Sequence, residues 1–306
     1  MEGPEVDALS FRLAALAGRQ WVDRIDVPTN RWQANVLLKH CAGKRINQIY
    51  SQGRWLLWNF SHGVSWAIYP LKRWRWSAQW LDANRPVSNG FNENINPLTT
   101  RVGLRPLMRI TLENGGCLTL SGRPLLLVLP TESLYRHPSL ANLGPKLSDE
   151  FLTDEIWKKR LRQVAGDKTI SQVIMDESVV AGISNQTKCE MLFAGRIHPA
   201  ARVGTVSAPQ MQEMFSAARR RADGLYRASL EGHPAHELPR HVYDRAGEPC
   251  GVCASSILAE RCGRDGLWSW FCPQCQSLLQ QPMLFGVDPV VDCIREIEPL
   301  NGIPMR

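Results

Sequence analysis

The 306-residue chain has no run approaching the roughly eighteen uncharged apolar residues that a bilayer-spanning helix needs. Its first residues, Met1-Glu2-Gly3-Pro4-Glu5, are acidic at once and lack the apolar core of a secretory leader. A cytoplasmic or nucleoid-associated protein with no membrane association is expected. Internal repeats and low-complexity tracts are missing too. With 44% hydrophobic and 21% charged residues, the composition excludes a disordered chain, a collagen or a coiled coil.

Acidic residues are scarce in one place. Between Asp26 and Asp82 there is no carboxylate, while the same stretch holds Arg31, Lys39, Lys44, Arg45, Arg54, Lys72, Arg73 and Arg75. It also holds seven of the eleven tryptophans: Trp32, Trp55, Trp58, Trp66, Trp74, Trp76 and Trp80. The formal net charge is +7, and all of it falls in residues 1–150, where 18 Lys+Arg face 11 Asp+Glu; residues 151–306 carry 18 of each. Cations neutralise phosphates and flat rings stack on bases, so this half is expected to meet nucleic acid. The competing reading buries the tryptophans in a sandwich core, because strand alternation hides every second side chain.

The order of elements predicts an α+β protein. Residues 4–17 read as a helix, with Pro4 in its first turn, Val6, Leu9, Leu13 and Leu16 on one face, and Gly18 at its end. Strands are expected over 54–60, 64–70, 74–81, 107–112, 117–120 and 125–129, with turns at Ser61-His62-Gly63 and Glu113-Asn114-Gly115-Gly116. Residues 83–100, rich in Asn and Pro, read as a loop. From Leu152 to about Leu230 the pattern turns helical.

Cysteine is sparse, at nine residues, but four are ordered: Cys250-x2-Cys253, then 18 residues, then Cys272-x2-Cys275. Two such pairs complete a tetrahedral Zn–S4 site with no open position, which holds a fold and does not activate water. Disulfides are disfavoured in a cytosolic chain. Cys41, Cys117, Cys189, Cys262 and Cys293 read as packed or surface thiols.

Several segments together resemble the formamidopyrimidine-DNA glycosylase / endonuclease VIII family. Residues 170–199 are similar to its helix–two-turn–helix element, with Val180-Ala181-Gly182-Ile183-Ser184-Asn185 as the hallmark and Ala194-Gly195-Arg196-Ile197-His198-Pro199 as its end. Val242 to Cys250 resembles the entry to the family's zinc finger, and Cys272-Pro273-Gln274-Cys275-Gln276 its end. His137 to Pro145 and Gly3-Pro4-Glu5-Val6 also match, in family order. The resemblance implies a β-sandwich with a leading helix over 1–135 and a linker at 136–150. It further implies a helical DNA-binding domain over 151–238 and a four-cysteine zinc finger at 239–279. Residues 280–306 lie beyond the family pattern as an extension.

The resemblance also implies a chemistry. A base inside a duplex cannot be attacked, so it is flipped into a pocket. The N-terminal amine of the family then attacks C1′, expels the base and forms a Schiff base while a neighbouring Glu moves protons. An α-amine suits this because its reference pKa is about 7.7–8.0, well below that of Lys. Here the usual N-terminal proline is missing. Met1 is expected to be retained and to occupy its place as nucleophile, and Glu2 keeps the place of the acid. Asn185 matches the phosphate-binding Asn, and its turn, with Gly182, is expected to offer backbone and amide donors to a phosphate. Arg54 stands where a Lys usually contacts phosphate. Lys72, Arg73 and Arg123 are further candidate DNA contacts. In the finger, Leu267 occupies the usual Arg position, so Arg264 is the candidate cation, while Trp268 and Trp270 could pack the hairpin.

The expected function is therefore a monomeric DNA glycosylase with a structural zinc, acting on a damaged or modified base, with weakened strand cleavage. The alternative is a catalytically degraded DNA-binding protein of the same fold.

Overall fold

The computed structural model describes residues 2–27, 36–71, 74–80, 93–94, 104–165, 167–232, 238–262 and 267–278. Two compact units emerge. One joins Met1–Thr153, Asp176–Ser184 and Arg219–Pro239; the other joins Asp154–Met175, Asn185–Ala218 and Arg240–Arg306.

The first unit begins with helix α1 (Gly3–Ala17). It buries Val6, Leu9, Leu13 and Leu16, the face that the apolar spacing marks. Among the described residues eleven strands follow, nine of them in this unit: β1 Val22–Asp26, β2 Ile46–Gln52, β3 Trp55–Phe60, β4 Val64–Tyr69, β5 Trp74–Trp80, β6 Glu93–Asn94, β7 Pro106–Leu112, β8 Gly116–Gly122 and β9 Leu125–Pro130. They form a five-stranded sheet ordered β1-β7-β8-β5-β6 and a four-stranded sheet ordered β2-β3-β4-β9. Every pairing is antiparallel. Leu56, Trp58 and Phe60 of β3 enter a core shared with α1 and with Trp74, Trp76, Ile110, Leu118 and Leu120 of the other sheet. Trp55 and Leu57, at the alternate positions, join a smaller cluster with Leu134 and Leu140. One strand with two apolar faces is what a sandwich layer covered on both sides requires.

The tryptophans answer the question the composition raises. Trp58, Trp66 and Trp76 are fully buried, and Trp55 and Trp74 nearly so. Trp58 stacks on Trp76 at 5.3 Å and on Trp66 at 5.8 Å. These rings are core, not a platform for bases, so base stacking by them is corrected. Trp32 lies outside the described residues.

Short helices α2 (Val36–Lys39), α3 (Thr131–Tyr135) and α4 (Pro138–Ala141) complete this part. The second unit carries α5 (Asp154–Ala165), α6 (Ile170–Ile174) and α7 (Asn185–Ala194), and the long α8 (Ala208–Glu231) passes from this unit into the first. Thr169 caps α6 through a capping box with Gln172. The hairpin of β10 (Leu258–Arg261) and β11 (Trp268–Phe271) ends the described chain. No helix of the described residues is long and apolar enough to cross a membrane.

Candidate functional site

Three glycines build the first cluster. Gly53 opens the two-residue turn between β2 and β3 at φ +57°, the positive φ such a turn demands of its first position. Gly182 sits at φ +92°. A Cβ on Gly182 would lie 2.9 Å from Gly3 Cα, and one on Gly53 would lie 2.8 Å from Ala181 Cβ. Gly3 N–H donates to the Gly182 carbonyl at 2.9 Å. Only three residues without side chains allow the start of α1, the β2–β3 turn and the 180–184 segment to close on one another. The motif glycine therefore packs backbone on backbone.

Around this junction sit two buried carboxylates. Glu2 is 6% exposed and Glu5 4% exposed. Glu5 Oε2 accepts from the Glu2 N–H at 2.5 Å, which caps α1. Burial pushes the Glu5 carboxyl above the usual carboxylate range. Arg54, in the turn, lies with its guanidinium 4.8 Å over the Tyr69 ring. Burial also raises Glu177, and in both Glu5 and Glu177 the Arg54 charge opposes that rise. Sequence reasoning missed Glu5 and Glu177. Their signal was available only as carboxylates near motifs, and only the closed junction brings them beside Arg54.

One turn further along α1, Asp7 receives hydrogen bonds from Ser51, from Lys146 Nζ at 3.1 Å and from Ser148 Oγ at 2.9 Å. It ties the helix to β2 and to the 144–149 segment. Arg123 is exposed between β8 and β9. Met1, Lys72, Arg73 and Arg264 lie outside the described residues.

The second cluster belongs to α7 and the cysteine hairpin. The sulfurs of Cys250, Cys253, Cys272 and Cys275 all lie within 4.8 Å of one another. Cys250 and Cys275 are 3.9 Å apart, and Cys253 and Cys272 are 3.3 Å apart. A tetrahedral ion with Zn–S bonds of about 2.3 Å needs sulfurs roughly 3.8 Å apart, so the four thiols fit one metal. Backbone N–H groups of Val252 and Cys275 point at the sulfurs of Cys250 and Cys272. The remaining described cysteines, Cys41, Cys117, Cys189 and Cys262, are buried thiols; Cys293 lies outside the described residues.

Helix α7 docks the finger through polar side chains. Glu190 accepts from the main-chain N–H groups of His241, Val242 and Tyr243 at 2.8–3.1 Å. Gln276 is fully buried, accepts from Cys272 N and donates to the Ile197 carbonyl. Asn185 Nδ2 donates to the Trp268 carbonyl at 2.9 Å. Lys188, 1% exposed, donates to the same carbonyl at 3.3 Å and to Ser269 Oγ at 2.8 Å. Burial lowers its pKa. Trp270 packs on Tyr243 at 4.7 Å, as a hairpin-packing ring should. Trp268 does not: it is 39% exposed, with the Arg261 guanidinium 5.4 Å over its ring.

The described residues thus hold a glycine-locked sandwich with two buried carboxylates at the start of its first helix, and a four-thiol finger docked on a helix. No family model matches the chain. It is 29% identical over 295 residues to formamidopyrimidine-DNA glycosylase of Methylococcus capsulatus, covering 90% of this chain and 99% of that one. With the same-named protein of Symbiobacterium thermophilum it shares 37% over 155 residues, spanning about half of each: 46% of this chain and 48% of the relative. Its fold is similar to Lactococcus lactis formamidopyrimidine-DNA glycosylase, solved non-covalently bound to DNA containing an abasic site. That match has a TM-score of 0.71 at 19% identity and covers 90% of this chain and 100% of that one. Over most of its length the chain is similar to proteins named formamidopyrimidine-DNA glycosylase, at 26% identity across 84% of it and 25% across 91% for two Legionella pneumophila relatives.

Proposed function

We propose that this protein is a DNA N-glycosylase that flips a damaged or modified base out of the duplex and excises it. The observation that carries this reading is the glycine-locked junction. It fixes a buried Glu2 at the very start of α1, one residue from the N-terminal amine, with Glu5 and Arg54 beside it.

In this reading the amine of Met1 attacks C1′ of the target nucleotide as the N-glycosidic bond breaks. The amine nitrogen gives up its two protons in turn, one to the departing base and one to O4′ as the sugar C1′–O4′ bond opens and the imine forms. Glu2 carries these protons. Its near-complete burial keeps the carboxyl away from bulk water. A Met amine is primary and unconstrained, so β-elimination through the imine is expected to be slower than base release. Arg54 is proposed to hold a phosphate of the target strand. Asn185, Arg123, Lys72, Arg73 and Arg264 are proposed DNA contacts of lesser weight, since the Asn185 amide already holds the Trp268 carbonyl. Zinc is the proposed occupant of the four thiolates. It would secure the hairpin and leave no coordination position for water.

The test is borohydride trapping with duplexes containing an oxidised purine, an oxidised pyrimidine or an abasic site. A covalent adduct at the Met1 nitrogen, located by peptide mass, is expected. Glu2→Gln should lower base release by about a hundredfold or more while binding to abasic DNA stays intact. Binding with neither adduct nor base release from any substrate would leave the binding-protein alternative standing.

A further inference from the structure

The β10–β11 hairpin carries an exposed cation, Arg261. Arg261 and Trp268 are direct cross-strand partners, and the guanidinium lies over the indole face. Both side chains are exposed, and no carboxylate pairs with Arg261 among the described residues. An Arg resting on an aromatic face keeps its N–H edge open while its plane is fixed, which suits a forked contact with phosphate oxygens.

What holds the aromatic face in place is the second half of the observation. The Trp268 carbonyl takes hydrogen bonds from Asn185 and Lys188, one turn apart on α7, and Ser269 takes a second from Lys188. Next to them, the Trp270 N–H points at Cys189 Sγ at 3.5 Å. A fully buried ammonium bonded only to neutral groups is costly to keep unless it fixes something. What it fixes here is the main chain beneath the Arg261–Trp268 stack. No acidic side chain occupies the first turn of α7, so the surrounding field also favours an anion.

We propose that Arg261, laid on Trp268, is a further contact of the finger with a backbone phosphate of bound DNA, and that Lys188 is the positioning residue for that pair. The inference rests on the DNA-binding reading above and adds to it residues that no family motif marks.

The experiment measures binding of the full-length, zinc-loaded protein to a duplex containing a stable abasic-site analogue, across a series of salt concentrations. Zinc content of every variant reports whether the finger is intact. Arg261→Ala is expected to flatten the slope of log affinity against log salt by about 0.9, the loss of one phosphate, and to weaken binding about tenfold at low salt. Trp268→Ala should weaken binding similarly, and the double variant should be no weaker than either single one. Lys188→Met should weaken binding in the wild-type background and have no further effect once Arg261 is Ala, which a merely structural lysine would not show. If Arg261→Ala or Trp268→Ala sheds zinc, Arg261→Gln or Trp268→Leu takes its place. An unchanged slope with zinc retained, or strict additivity of the two substitutions, overturns the proposal alone. A wild-type protein that binds no duplex overturns the DNA-binding reading with it.

Discussion

At the scale of single residues, the most exacting position is Gly182. Its Val-Ala-Gly-Ile setting was legible in the sequence as a family mark, but what the glycine does there was not. A positive φ and a 2.9 Å approach to Gly3 arise only when segments about 180 residues apart in the chain meet. Gly182→Ala is expected to cost about 2–4 kcal/mol in denaturant unfolding, combining backbone strain with a clash that has only backbone to push against. An alanine variant as stable as wild type would remove the junction from the account. His198 offers a second test. Burial lowers its pKa to about 4, its Nδ1 accepts from Ala200 N, and its ring meets Phe271 edge-on at 4.6 Å. The folded pKa is depressed below the unfolded 6.5, so the unfolded chain binds the proton first. Stability is then lost as pH falls from about 6.5 toward 4, and not on the alkaline side. An imidazole NMR titration of the zinc-loaded protein should find a midpoint near 4; a midpoint near 6.5 would contradict the burial.

Elements were read unevenly, for a physical reason. Helix α1 and strands β3, β4, β5, β7, β8 and β9 stand out because apolar side chains recur at the period of their geometry. Strands β1 (VDRID) and β2 (INQIYSQ) carry no such pattern. Most of their side chains are exposed or half-buried, and their pairing with β7 and β3 makes them strands. The tryptophan run was legible as strands but ambiguous in purpose, because composition does not say which face a ring occupies. Its burial predicts that Trp58→Ala costs about 3–5 kcal/mol and leaves the DNA affinity of the folded fraction unchanged. A loss of affinity without loss of stability would restore the base-stacking reading. The finger is the opposite case. Its ligands were legible from spacing alone, but its docking through Glu190, Gln276 and Lys188 was not, since none of these belongs to a metal motif. Chelation is expected to expose the amides of β10 and β11 to rapid hydrogen exchange while those of β3 and β4 stay protected. Uniform loss of protection would show that the metal supports the whole protein.

For the whole molecule, the net charge of +7 pointed to an anionic partner but could not say which cations meet it. Charge counts do not distinguish a solvated arginine from one held in place. Arg54 is held: its guanidinium lies over Tyr69, and two carboxylates raised by burial, Glu5 and Glu177, feel its charge. If it takes a phosphate, Arg54→Ala should flatten the salt dependence of duplex binding by about 0.9. Arg54→Lys should keep the slope yet bind more weakly, since an ammonium preserves charge but not the fork. Glu177→Gln should move the other way. It removes an anion that competes with phosphate for the same guanidinium, so affinity should rise at low salt and the gain should shrink as salt screens the attraction. Arg54→Ala with an unchanged slope would leave Arg54 as a brace between two acids and move the charge that meets DNA elsewhere in the first 150 residues.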